Sequence, residues 1–153
     1  MAEASEAEKA GACAAPEHRQ FDFWIGSWEV FRAGAGLLGH NRIEPVHAGC
    51  ALQENWRGIS GFVGSSLSYY DPASGVWRQL WRDSAGTTLD LSGGFAGGRM
   101  RMFAITREAG QTPVYNRITW TPLAGGELRH LWETSRDWGE SWLQDYDLIY
   151  RRA

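Results

Sequence analysis

Lysine is almost missing from this chain: Lys9 is the only one, and every basic residue from Arg19 onward is arginine. Schiff-base chemistry and a P-loop, which both need a lysine, are thereby excluded from the body of the protein. Fifteen basic residues against eighteen acidic ones give a formal charge of -3, so there is no basic footprint to attract nucleic acid or an anionic membrane surface. Cysteine is scarce as well. Cys13 and Cys50 do not make a disulfide framework and have no metal-like spacing, so a reducing compartment is favoured and Cys50 reads as a small buried hydrophobe. No apolar run approaches the length of about 18 residues that a membrane helix needs. The acidic stretch Met1 to Ala10 has no apolar core of a signal peptide, which makes the cytoplasm the expected location. Among the four histidines, His18, His40, His47 and His130, no H-x-H or H-E-x-x-H spacing occurs, so no metal site is expected.

What the sequence has in excess is aromatic surface and glycine: nine Trp, six Phe, five Tyr and 19 Gly in 153 residues. That length suits one domain. Residues 1–20 contain no aromatic or β-branched side chain and read as a disordered or frayed-helix tail, leaving 21–153 as the domain. From Phe21 the texture changes: FDFWIG is a short apolar plug, followed by segments of alternating character bounded by Gly, Pro or Asp. The candidate strands are 27–33, 38–46, 50–57, 61–71, 76–83, 87–95, 99–107, 114–121, 127–135 and 142–151. Ten short strands with hairpin-length links predict an all-β fold, a ten-stranded antiparallel up-and-down barrel, since closure removes the edges an open meander would expose.

Gly26-Ser27-Trp28 before the first strand resembles the G-x-W signature of lipocalins and the wider calycin group. The runs FDFWIGSWEV, GHNRIEPVHAGCALQENW, YYDPASGVW, WRQLWRDSAG and RHLWETSRDWGESW likewise resemble small bacterial lipocalin-like proteins. The resemblance implies a barrel in which an arginine of the last strand, Arg151 or Arg152, stacks on Trp28. A more distant resemblance is to nitrobindin-like haem barrels, which would make a histidine the iron ligand. Ser135 to Trp142 fits the S-x-D-x-G-x-S-W pattern of the Asp-box. In the sialidases that box is a structural hairpin, and a sialidase propeller needs several copies on a far longer chain.

The segments Arg78 to Ser84 and Arg129 to Ser135 echo each other in Arg, Leu, Trp and Ser. With period 2, one face of the first carries Trp77, Gln79, Trp81 and Asp83, and one face of the second carries Leu128, His130, Trp132 and Thr134. Such a mixture of large aromatics and polar groups suits a cavity that orients a ligand better than a core built for packing alone. Alternation also places Glu54 with Leu52 and Trp56 on a face that should be buried, with Arg42 on the neighbouring strand as its natural partner. Three functions follow as expectations. The first is binding of a small apolar or aromatic molecule by Trp56, Trp77, Trp81 and Trp132, oriented by Arg42, Glu54, Gln79 and His130. The second is a cofactor-free enzyme, an isomerase, cyclase or hydratase, in the same pocket, with Glu54 or His130 as the catalytic acid-base. The third is a haem barrel ligated by His130. The small-molecule ligand is the only partner expected, apart from a homodimer, which the sequence leaves open.

Overall fold

The computed structural model describes residues 11–153. Ten strands close into one antiparallel barrel: β1 (Gly26–Arg32), β2 (Leu37–Val46), β3 (Ala51–Gly58), β4 (Val63–Asp71), β5 (Val76–Asp83), β6 (Thr88–Ala96), β7 (Arg99–Thr106), β8 (Val114–Pro122), β9 (Leu128–Ser135) and β10 (Leu143–Arg152). Each strand hydrogen-bonds its sequence neighbours, and β1 pairs with β10, Val30 lying opposite Tyr150, so no edge is left unpaired. The expected fold class is the observed one, and the ends of the strands fall within about two residues of those read from alternation and turn residues. Among the described residues, no helix is long and apolar enough to cross a membrane.

Connections alternate between the two ends of the barrel. One end is closed by the segment preceding β1, where two single turns of 3-10 helix (Pro16–Arg19 and Asp22–Trp24) carry Phe21 and Trp24 under the strands. Phe21 is 0% and Trp24 1% exposed. Their rings stack at 4.8 Å, and Phe21 meets Trp120 and Trp77 edge-on at 5.2 and 5.7 Å. Gly26 and Trp28 finish the closure. The indole N–H of Trp28 donates to the carbonyl of Trp24 at 2.9 Å, and the guanidinium of Arg152 lies 3.9 Å from the centre of the Trp28 ring. This is the stacking that the G-x-W resemblance implies, with Arg152 in the role and Arg151 instead over Phe31. Gly26 adopts a positive φ of 143°, so the backbone favours glycine there, and a Cβ would also push the Arg152 guanidinium from its place.

Cys13 and Cys50 form a disulfide across 37 residues, so Cys50 is not the free hydrophobe expected from sequence. The bridge ties the chain ahead of the plug to the β2–β3 turn, and Arg19 reinforces it by donating to the carbonyl of Gly49. Loops of this length contribute about 2–4 kcal/mol when cross-linked, mainly by restricting the unfolded chain. A bridge that persists calls for oxidising surroundings, whereas the low cysteine count favours a reducing compartment when read from sequence alone. Of the tail expected over 1–20, residues 16–19 form a 3-10 turn, with Pro16 in its first position and His18 buried against Tyr70. The first ten residues lie outside the described residues.

Candidate functional site

Above the plug the barrel is hollow. A cavity of about 470 Å³ is lined mainly by residues of β3, β5, β8, β9 and β10, with Leu38 of β2 and Leu89 of β6, and it opens between the β3–β4 loop, at Ser60 and Phe62, and the β5–β6 loop, at Ala85 and Thr87. Volume and lining fall in the range of small-molecule sites, which are mostly apolar with a few placed polar groups. The walls are indoles. Trp56 and Trp81 reach over glycines of the neighbouring strands that lie two places from their register partners: a Cβ on Gly39 would overlap Trp56, and a Cβ on Gly64 would overlap Trp81. The Trp81 N–H is held by Asp83 at 2.9 Å and that of Trp132 by Asn116 at 3.0 Å, so both rings are fixed in orientation.

A chain of polar groups crosses the interior. The side-chain amide of Asn41 donates to Glu54 at 2.7 Å and to the Tyr150 hydroxyl at 3.0 Å, and Ser66 donates to the other oxygen of Glu54 at 2.7 Å. Gln79 donates to Ser68 at 2.9 Å. Glu54 is only 7% exposed, and burial raises its pKa although the hydrogen bonds from Asn41 and Ser66 work against the shift. The Tyr150 hydroxyl is pushed up too, first by burial and then by the nearby Glu54 carboxyl. His130 moves the opposite way. Its ring sits edge-on to Trp120 at 5.3 Å and parallel to Tyr150 at 6.0 Å, its Nδ1 is buried without a partner, and burial lowers its pKa from 6.5 to about 4. At neutral pH the imidazole is uncharged.

Of the eight residues expected from sequence to contact a ligand, Glu54, Trp56, Gln79, Trp81, His130 and Trp132 line this one cavity. The two halves of the internal echo thus face each other across it, Gln79 and Trp81 on β5 and His130 and Trp132 on β9. Trp77 and Arg42 do not line it. Trp77 belongs to the plug, 2% exposed, with its N–H on Gln20 at 3.1 Å. Arg42 lies on the outer face and pairs with Glu44 at 3.2 Å. The physical reason is the pleat: Glu54 pairs with Ile43 of β2, so at the middle of β2 Gly39, Asn41 and Ile43 are the buried residues, and Asn41 takes the position expected of Arg42. Asn41, Ser66, Trp120 and Tyr150 were not predicted. Alternation alone could have found two of them, since Trp120 shares a face with Ile118, and Asn41 one with Ile43 between the charged Arg42 and Glu44.

Haem and metal chemistry can be tested on the same wall. His130 offers a neutral imidazole, but among the described residues lining the cavity none is Arg or Lys, and Glu54 and Asp83 would stand against the propionates of a haem. The wall therefore does not fit that group. Among the described residues no cluster of three His, Cys, Asp or Glu side chains could hold a metal ion. The architecture is a closed, antiparallel, ten-stranded barrel, which is consistent with the calycin resemblance. No family model and no curated protein matches the chain.

Proposed function

We propose that this protein is a binding module for a small apolar or aromatic molecule, held in the barrel cavity between the indoles of Trp56, Trp81, Trp120 and Trp132. The observation that carries the reading is the combination of a closed floor, an open mouth and a polar chain inside. A barrel evolved only for packing would fill its axis with aliphatic side chains, whereas this one leaves about 470 Å³ free and spends buried polar groups on its wall. Buried polar groups cost stability unless they are partnered, and those at Asn41, Glu54 and Ser66 hold one another in place ready for a ligand.

One observation favours a second reading, acid-base catalysis in the same cavity. A carboxyl with a raised pKa and an imidazole with a lowered one share the wall, joined through Tyr150 and Asn41. Burial disfavours the charged form of each group, and titratable groups perturbed in this way are found at catalytic sites and also in structural networks.

The binding reading is tested with N-phenyl-1-naphthylamine, an uncharged aromatic dye whose emission rises in apolar surroundings. The wild-type protein should brighten the dye and lose tryptophan emission in step. Leu89→Trp, which fills the cavity from β6, should weaken dye binding by about tenfold, the loss of roughly 1.4 kcal/mol of contact. No brightening in the wild type, or equal affinity in the filled variant, would remove the cavity from consideration as a ligand site.

A further inference from the structure

We propose that the ligand of this cavity is an organic cation, a quaternary ammonium or protonated amine carried on an apolar or aromatic body. The inference rests on the binding reading above and adds the charge of the occupant.

The first ground is what the wall lacks. Its formal charges come from Glu54 and Asp83, with no arginine or lysine among the described residues that line it. The arginines on the neighbouring strand positions point outward: Arg42 pairs with Glu44, and Arg82 donates to Thr88 at 2.7 Å on the outer surface. Arg32, near the rim, is already seated over the Tyr146 ring at 5.1 Å. The second ground is Glu54 itself. Both of its hydrogen-bond partners are uncharged, Asn41 and Ser66, and the third member of the chain is the Tyr150 phenol. A buried carboxylate needs a counter-charge, and among the described residues no arginine or lysine lines the cavity beside it. Each of its oxygens retains lone-pair capacity beyond the single hydrogen bond it accepts.

The third ground is independent of the acids. Seven Trp, Tyr and Phe rings line the space, four of them the indoles Trp56, Trp81, Trp120 and Trp132. The face of an indole is electron-rich, and a cage of such faces attracts a cation whose charge cannot be dispersed by water. An anion would meet two carboxylates and no donor of positive charge. An uncharged ligand would gain the apolar contact but leave Glu54 uncompensated, so that the carboxyl would have to keep its proton. An ammonium answers both the cage and the carboxylate, and no other charge type does.

Three probes of similar size decide the matter on the intact, oxidised protein: phenyltrimethylammonium, its carbon isostere tert-butylbenzene, and benzoate, each titrated by displacement of the naphthylamine dye. The ammonium should bind about tenfold more tightly than the isostere, as expected for a desolvated cation over indoles, and benzoate should be the weakest of the three. In E54Q, which keeps the volume and the bond accepted from Asn41 while removing the charge and turning Ser66 from donor to acceptor, the preference for the ammonium should shrink to about threefold or less. Equal or tighter binding of tert-butylbenzene by the wild type would overturn the cation assignment and leave the cavity standing as a ligand site. Failure of the dye itself to bind would overturn both. The wild-type comparison needs no variant, so misfolding of E54Q would not rescue the proposal.

Discussion

Trp24→Ala should destabilise the protein by about 3–5 kcal/mol, the usual loss for truncating a fully buried indole. The side chain is 1% exposed, stacked on Phe21 at 4.8 Å and tilted against Trp120 at 5.7 Å. Its removal would leave a void directly beneath the cavity, and the plug has few neighbours able to collapse into it, because Trp28 is pinned by Arg152 and Trp77 by Gln20. The indole N–H of Trp24 is buried without a partner, which places the expected loss toward the lower half of the range. Urea unfolding with the disulfide intact measures it. A loss below about 1 kcal/mol would mean that the floor opens without unfolding the barrel, and that Phe21 and Trp24 are a lid and not part of the core.

The second large effect is a dependence on acid carried by His130. Its pKa falls from 6.5 to about 4 on folding, because burial disfavours the imidazolium. A group depressed in the folded state contributes stability that is complete above its unfolded pKa and is lost as pH falls toward the folded one, here between pH 6.5 and pH 4. The full difference is about 3 kcal/mol. Glu54 runs in the other direction, since its pKa is raised and protonation favours the folded state. Asp147 on the adjacent strand pulls the histidine upward, and Tyr150 and Trp120 face it without charge in this range. The clean measurement is the stability gap between wild type and His130→Gln at pH 7 and again at pH 4. The wild type should lose about 3 kcal/mol relative to the variant on going to pH 4. A gap independent of pH would show an imidazole that is hydrated in the folded protein, with a cavity open to bulk water.

Strand order and closure were legible in the sequence because both rest on short-range signals. Turns such as Asp71 to Gly75 punctuate the chain, and the Asp71 side chain holds this one by accepting from the Ala73 amide at 3.1 Å and the Ser74 hydroxyl at 2.7 Å. The Asp-box hairpin is of the same kind. Asp137 accepts from the Ser141 hydroxyl and, at 2.9 Å, from the Ser141 amide, hydrogen bonds that hold its pKa down to about 2, and Gly139 turns the corner at a φ of 88°. Register across strands was less legible. Glu54 was recognisable as a buried acid from Leu52 and Trp56, but its partner depended on which face of β2 turns inward, and a displacement of one residue exchanged Arg42 for Asn41. Charge could have decided it, because His40, Arg42 and Glu44 share one face and suit solvent better than a barrel interior. Cys13 was beyond reach for another reason: a disulfide depends on the approach of two Cα atoms, here 5.2 Å apart, and nothing in a spacing of 37 residues reports that. Trp77 has the same alternation as Trp81, and only the depth at which the plug enters assigns one to the floor and the other to the wall.

The central claim is that a ligand enters the barrel, and the nine indole N–H signals of a proton–nitrogen correlation spectrum report on it directly. Titration with phenyltrimethylammonium or the naphthylamine dye should shift the signals of Trp56, Trp81, Trp120 and Trp132 while leaving Trp138 and Trp142, on the β9–β10 hairpin and away from the cavity wall, in place. Shifts confined to the outer tryptophans, or none at millimolar ligand, would contradict the account and make the interior a packed core with a void.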